Sequence, residues 1–333
     1  MRTIDWVDGA VEIIDQTLLP EKLVTRRLAT ATELVEAVQA LAVRGAPALG
    51  VAGALGVALA AHQYDDPAAR SDAVELVAAA RPTAVNLAAG ARRAAARLAE
   101  GPAAVLAEAL RVRDEEIASS AAMAVRGADL VTSLCGPAPR LLTHCNTGGL
   151  ATVTGGTALA VVTELHRRGA LGGVVASETR PLLQGARLTA WELGQAGVPY
   201  RLAVDSAGPF LAARGELDAV IVGADRICAN GDVVNKIGTY AHALGAARAG
   251  IPFLVVAPES TMDAGTATGA EVAIEDRGPG EVLGYGGVAT APAGATAVNP
   301  AFDVTPRELV TAIITDARVL HPVPAPIPPL REP

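Results

Sequence analysis

The sequence predicts an α/β protein, with a mostly helical N-terminal region carrying a small β-hairpin and a C-terminal region built on a parallel sheet. Three observations carry this reading. The chain has 333 residues, 51% hydrophobic and only 19% charged, enough for two domains with large cores. Residues 1–130 are dominated by alanine-rich helical patterns. From Leu141 onward short β-rich runs alternate with helical stretches, which implies parallel strands joined by crossover helices. The expected division is therefore a helical domain over 1–130 and a sheet domain over 131–333.

Residues 5–15 alternate loosely around Asp8-Gly9 and read as a hairpin. Thr30-Ala31-Thr32-Glu33 matches a capping box, and Leu34, Val38 and Leu41 continue it at helical spacing until Arg44-Gly45. Helical patterns follow at 46–62, 67–80, 84–99 and 103–127, punctuated by Asp65-Asp66-Pro67, Arg81-Pro82 and Gly101-Pro102. The β-rich runs fall at 141–143, 173–176, 201–204, 219–222 and 253–256, with helices expected near 157–168, 181–196, 207–214 and 235–249. The Gly-, Pro- and Thr-rich stretch 260–300 is long enough to serve as a lid. Thr305-Pro306-Arg307-Glu308-Leu309 reads as the start of a last helix, and 322–333 as an extended proline-rich tail.

Bulk chemistry excludes several classes. The formal net charge of −8 and the lack of any Lys/Arg run argue against nucleic acid as a partner. The N-terminus carries acids where a signal peptide needs an apolar stretch, so a cytoplasmic protein is expected. Residues 46–61 are nearly uncharged, but they are shorter than a membrane span and contain Pro47 and several glycines, so a buried helix is expected instead. Cys135, Cys145 and Cys228 have no CxxC spacing and leave an odd count, which predicts neither a disulfide framework nor a metal site.

The chain contains no GxGxxG, Walker A, HExxH or GxSxG motif, so no cofactor signature is present. It does contain two glycine turns, Thr147-Gly148-Gly149 and Thr154-Gly155-Gly156-Thr157, the second opening a helix whose free N–H groups would suit a phosphate. Cys145 stands where an apolar strand runs into the first turn, a setting that favours a reactive thiol over a packing group. Asp225 follows the apolar run 219–222, where burial would let a carboxyl donate a proton near neutrality; an ion pair with Arg226 is the plain alternative. His144 points to the opposite face of its strand from Cys145 and reads as a supporting or core residue. Arg44, Arg81 and Lys236 are isolated cations whose value depends on convergence.

Long segments then point to a family. Val43-Arg44-Gly45-Ala46-Pro47-Ala48-Leu49-Gly50, Arg81-Pro82-Thr83-Ala84-Val85-Asn86-Leu87 and Thr143-His144-Cys145-Asn146 come first in order. Glu178-Thr179-Arg180-Pro181-Leu182-Leu183-Gln184-Gly185, Gly223-Ala224-Asp225-Arg226-Ile227, Asn235-Lys236-Ile237-Gly238-Thr239-Tyr240 and Asn299-Pro300-Ala301-Phe302-Asp303 complete the set. With these the chain resembles the family that unites methylthioribose-1-phosphate isomerases with the regulatory subunits of translation initiation factor 2B. The resemblance implies a Rossmann-like C-terminal domain, a homodimer, a sugar-phosphate substrate, a place in methionine salvage and no metal or organic cofactor. It puts the catalytic roles on Cys145 and Asp225, and substrate contacts on Arg44, Gly45, Ala46, Arg81, Gln184, Asn235 and Lys236.

The resemblance implies an aldose–ketose isomerase. Because a phosphate on C1 prevents ring opening to a free aldehyde, an acid must protonate the ring oxygen, a role for neutral Asp225. Cys145 then either relays the C2 proton to C1 or stabilises charge while a hydride moves. The segment Asp205-Ser206-Ala207-Gly208-Pro209-Phe210 departs from the family's usual sequence after the aspartate, and the glycine turns also differ. Three readings stay open on these residues: an isomerase of 5-methylthioribose 1-phosphate, one of ribose 1,5-bisphosphate or 5-deoxyribose 1-phosphate, and a non-catalytic regulatory subunit.

Overall fold

The computed structural model describes residues 2–81 and 84–322. The chain divides into two compact units, one comprising Met1–Ala124 and Asn146–Ala160, the other Val125–Cys145 and Val161–Pro333. The observed division thus differs from the expected boundary at 130/131 in two respects: the chain first crosses over at 124/125, and the segment 146–160 belongs with the N-terminal unit. Its backbone explains why, since Thr3 N–H donates to Val153 O (2.9 Å), the Thr3 hydroxyl to Gly149 O (2.6 Å) and Gln16 Nε2 to Leu150 O (2.7 Å).

The first unit opens with an antiparallel sheet of β1 (Ile4–Val7), β2 (Ala10–Ile14) and β3 (Thr25–Leu28), the predicted hairpin plus one further strand. Helix α1 (Ala31–Gln39) carries the full capping box, with Thr30 accepting from Glu33 N–H and Glu33 reaching back to Thr30 N–H (3.0 Å). It stops short of the predicted end because Leu41 turns to φ +60°. Helices α2 (Ala46–Gln63), α3 (Pro67–Ala78) and α4 (Val85–Ala95) follow, and α5 (Pro102–Cys135) runs well past the predicted 127. Helix α2 is long and apolar enough to cross a membrane by length and composition, yet it is the core of its unit, buried from Val51 to Ala61. Glycines let α4 lie directly on it. A Cβ on Gly90 would sit 1.9 Å from Gly50 O, and one on Gly53 2.1 Å from Leu87 O.

In the second unit β4 (Arg140–Thr143), α6 (Ala158–Arg167), β5 (Gly173–Ser177), α7 (Ala190–Gln195), β6 (Tyr200–Ala203), α8 (Ala207–Ala213) and β7 (Ala219–Val222) alternate as expected, α6 beginning in the first unit. Then come β8 (Arg226–Cys228), β9 (Val233–Lys236), α9 (Thr239–Ala249), β10 (Phe253–Val256), β11 (Met262–Asp263), α10 (Gly280–Leu283), β12 (Gly284–Tyr285), β13 (Val288–Ala289), β14 (Phe302–Thr305), β15 (Ala312–Ile314) and β16 (Val319–Leu320). The main sheet has the order β16-β15-β10-β7-β4-β5-β6, parallel except for β16 at one edge. Every residue of β7 and β10 is buried, as expected for central strands covered on both faces.

A second sheet, β11-β8-β9-β14, is not predicted from the sequence. The expected helix at 235–249 begins only at Thr239, because 233–236 pair with both β8 and β14. The expected last helix is a single 3-10 turn, Arg307–Leu309, after which the chain enters β15. Within 260–300 the chain forms α10 and the β12–β13 hairpin, braced by Arg277 on Glu281 and Glu275. Beyond Pro322, the predicted tail at 322–333 lies outside the described residues.

Candidate active site

Cys145 sits two positions beyond β4 and Asp225 three beyond β7, and these neighbouring parallel strands pair Thr143 with Ile221. Both residues therefore leave the carboxyl ends of adjacent central strands, the side of a parallel sheet on which ligands gather. Cys145 is 7% exposed and Asp225 half-buried. The other two cysteines are also free thiols, and burial pushes both Cys135 and Cys228 above the usual range, as suits packing groups.

The backbone of Cys145 is left-handed, φ +62°, a conformation that costs an L-residue about 1–2 kcal/mol. Two threonines hold it. The Thr179 hydroxyl accepts from Cys145 N–H (2.9 Å), and the Thr189 hydroxyl donates to Cys145 O (2.6 Å). Thr189 closes a π-turn, Gly185–Thr189, that follows directly on Gln184. Gln184 itself is 6% exposed and its Oε1 has no hydrogen-bond partner among the described residues. A buried acceptor left open is costly, and a hydroxyl of a bound sugar would satisfy it.

The Asp225 side is tied to the second sheet. Asp225 N–H donates to Val234 O (2.9 Å), one residue before Asn235-Lys236 at the end of β9. Asn235 is 4% exposed and donates to the Thr239 hydroxyl (3.0 Å), while Lys236 Nζ donates to Ala301 O (2.8 Å) and lies 4.6 Å from the centre of the Phe302 ring. Asp303 Oδ2 receives Gly238 N–H (2.7 Å) and Tyr240 N–H (3.1 Å), capping α9, yet its Oδ1 is buried without a partner among the described residues. Burial is the largest influence on this carboxyl and raises it to about 6, the two backbone donors and Lys236 only moderating the effect.

His144 joins the two halves of this constellation. Its Nε2 donates to Ile237 O (2.8 Å), next to Lys236, and its Nδ1 accepts from the Ser177 hydroxyl (2.5 Å). His242 Nε2 approaches the same Nδ1 at 3.3 Å, with the rings edge to face. Burial drops His144 to about 4 and His242 to about 3, so both are neutral at physiological pH. The expectation that His144 is a supporting core residue agrees with this geometry. Asp205, the residue retained before the departing segment, accepts Thr179 N–H and Arg180 N–H, both at 2.7 Å.

In the first unit Arg44, Gly45 and Ala46 form the entry to α2. Gly45 has φ +96°, and a Cβ there would lie 2.3 Å from Ala151 O, so only glycine fits. Arg44 Nε donates to Gln16 Oε1 (3.2 Å), and its Nη2 to the backbone and side-chain oxygens of Asn146. A fixed guanidinium beside the positive end of an 18-residue helix suits a phosphate. Arg81 follows α3, and its carbonyl accepts from Ala84 N–H (2.9 Å). The second glycine turn behaves differently from expectation. Thr157 N–H bonds to Thr147 O (2.7 Å), Leu159 N–H to the Thr147 hydroxyl (3.1 Å) and Ala160 N–H to Thr157 O (3.1 Å), so these donors are taken by the loop itself.

Sequence reasoning did not single out Thr179, Thr189, Gln16 or Asn146. A threonine among apolar neighbours gives no sign of which carbonyl it will reach. The positive φ of Cys145 is equally invisible in its residue type.

Comparison with known proteins adds the family. The initiation factor 2 subunit family matches residues 42–322. The 5-deoxyribose 1-phosphate isomerase of Moorella thermoacetica is 51% identical over 96% of this chain and 94% of its own length. The methylthioribose-1-phosphate isomerase of Chloroflexus aurantiacus is 47% identical, over 97% and 96%. A probable bifunctional methylthioribose-1-phosphate isomerase/methylthioribulose-1-phosphate dehydratase of Nocardia farcinica is 53% identical over 96% of this chain, which spans 60% of that longer protein. Among solved structures, 5-methylthioribose 1-phosphate isomerase from Pyrococcus horikoshii superposes with a TM-score of 0.89 at 40% identity, covering 96% of this chain and 92% of that one. With the family's pattern matched over most of its length, the chain belongs to the initiation factor 2 subunit family.

Proposed function

We propose that this chain is an aldose–ketose isomerase that converts 5-methylthioribose 1-phosphate to 5-methylthioribulose 1-phosphate. The observation that carries the reading is the placement of a buried thiol, Cys145, and a carboxyl, Asp225, at the carboxyl ends of adjacent parallel strands. A regulatory subunit would need neither group. Gln184, Asn235 and Lys236 are assigned to the sugar.

In the reaction Asp225 gives its proton to the ring oxygen as the bond from that oxygen to C1 breaks. Hydrogen leaves C2 and arrives at C1, C2 becomes the carbonyl, and the 2-hydroxyl proton returns to Asp225. The substrate is thus oxidised at C2 and reduced at C1 with no external electron acceptor. Deuterium at C2 tests the route of that hydrogen: washout into water supports a proton carried by Cys145, whereas full retention at C1 contradicts a shuttle that exchanges with water, as an internal hydride with Cys145 polarising the intermediate would require.

A second substrate is favoured by a specific observation. The Moorella relative, named for 5-deoxyribose 1-phosphate, is as similar as the methylthioribose isomerases, and this chain departs from the family's usual sequence after Asp205. Assay of the purified protein on ribose 1-phosphates bearing methylthio, hydrogen, hydroxyl or phosphate at C5, with ketose as readout, tests the assignment. The highest kcat/KM for the methylthio compound supports it, and a preference for 5-deoxyribose 1-phosphate replaces it with the second reading.

We also propose a homodimer. The support is the edge strand β6, where Tyr200 and Leu202 are exposed, with Val204 exposed just beyond it and Phe210 of α8 60% exposed. Sedimentation of the wild type, and of Leu202→Lys, tests it: a dimer dissociated by the charge is expected, and a wild-type monomer contradicts it.

A further inference from the structure

Five non-glycine residues have positive φ among the described residues, and Cys145, Thr179 and Leu183 are three of them. They share one neighbourhood. Thr179 is fully buried; its hydroxyl donates to Ser177 O (3.1 Å) while accepting Cys145 N–H, and its own N–H is fixed by the Asp205 carboxylate. Thr189, 1% exposed, reaches Cys145 O from the end of the π-turn. That turn is pressed onto the same strand end, since a Cβ on Gly185 would meet Ser177 O at 1.7 Å and Thr179 Oγ1 at 2.9 Å.

We infer that Thr179 and Thr189 are positioning residues for Cys145, holding both backbone polar groups of the thiol-bearing residue in its left-handed conformation and thereby fixing the direction of Sγ. The constraint is steric. With φ positive, Cβ projects to a side of the backbone that the common conformations do not reach, so relaxation to negative φ swings the thiol away. Strain of this kind persists only where the surroundings over-determine it. Here one hydroxyl satisfies the N–H and another the C=O, and neither backbone group has water as a substitute at this depth. The role is held by hydroxyls and not by shape alone, so valine, which matches threonine in volume, removes it.

This inference rests on Cys145 being the thiol of the proposed isomerase, and the test separates the two ideas. Thr179→Val, Thr189→Val and Thr179→Ser are compared with wild type for kcat, KM, thermal midpoint and the rate of Cys145 alkylation by iodoacetamide, read by peptide mass. Each valine variant is expected to lose about 10–100-fold in kcat with little change in KM, and to shift the Cys145 alkylation rate by about 5-fold or more. Thr179→Ser is expected to restore both. A folded Thr179→Val with wild-type kcat and alkylation overturns the inference. Should the valine variants fail to fold, hydrogen exchange in the wild type decides: a slowly exchanging Cys145 amide supports the clamp, and exchange at the rate of an open loop overturns it. A wild type inactive on every sugar phosphate removes the isomerase reading but leaves the alkylation and exchange results to judge the clamp.

Discussion

His144 Nε2 donates to Ile237 O at 2.8 Å, so the residue before the thiol is tied to the residue after Lys236. Through this one bond the loop after β4 and the loop after β9 keep a fixed spacing. The bond requires the neutral tautomer with hydrogen on Nε2, leaving Nδ1 to accept from Ser177. Replacing His144 by leucine strands Ile237 O and the Ser177 hydroxyl in a dry interior. A loss of about 2–4 kcal/mol is expected by urea denaturation, and an unchanged midpoint would show the bond to be idle.

Acid should destabilise the protein through the imidazoles. The folded state holds His144 at about 4 and His242 at about 3, whereas both titrate near 6.5 when unfolded. Below pH 6.5 the unfolded chain therefore binds protons that the native chain refuses. Each imidazole costs roughly 2 kcal/mol of stability between pH 7 and 5, and a variant with His242 replaced by glutamine should show a shallower decline. Denaturant titrations at pH 7, 6 and 5 check this, and a wild type equally stable at all three contradicts it.

Asp303 acts in the opposite sense. Its folded value of about 6 lies above the ordinary 3.8, so between these values the native state binds the extra proton and its contribution is lost as pH rises through 6. Asp303→Asn should gain on the order of 2 kcal/mol relative to wild type on moving from pH 4.5 to 7.5. A constant difference between the two proteins across that range would show that Asp303 keeps its ordinary value.

The helix pair α2–α4 should tolerate no methyl at its closest points. Gly90→Ala places carbon 1.9 Å from Gly50 O, a backbone atom that cannot step aside, and a cost of about 1–3 kcal/mol or more is expected. Gly194→Ala is the control, in helix α7 with nothing within 4 Å of the added carbon, and should stabilise by about 0.5–1 kcal/mol. Equal effects at both positions would refute the packing argument.

Much of this architecture is legible in the sequence because it follows from periodicity and punctuation. The capping box at Thr30, the alanine-rich helices and five of the six parallel strands of the main sheet, β15 being the exception, are readable from local pattern. The second sheet was not, since β9 is a strand only through pairing with β8 and β14, and β14 lies some seventy residues away in the chain. At the site, residue types pointed to Cys145 and Asp225, but their shared height depends on β4 and β7 being neighbours, which sequence order does not reveal. The glycine turn after Thr154 illustrates the reverse. Its composition suits an anion, yet Thr147 consumes two of its donors.

The proposed isomerisation needs the thiol and the carboxyl together. Ketose formation from 5-methylthioribose 1-phosphate, followed with wild type, Cys145→Ala and Asp225→Asn at matched folded concentration, tests it most directly. Robust turnover by wild type and a loss of about 10²–10⁴-fold in kcat for each variant are expected. Turnover within a few-fold of wild type by either variant would contradict it.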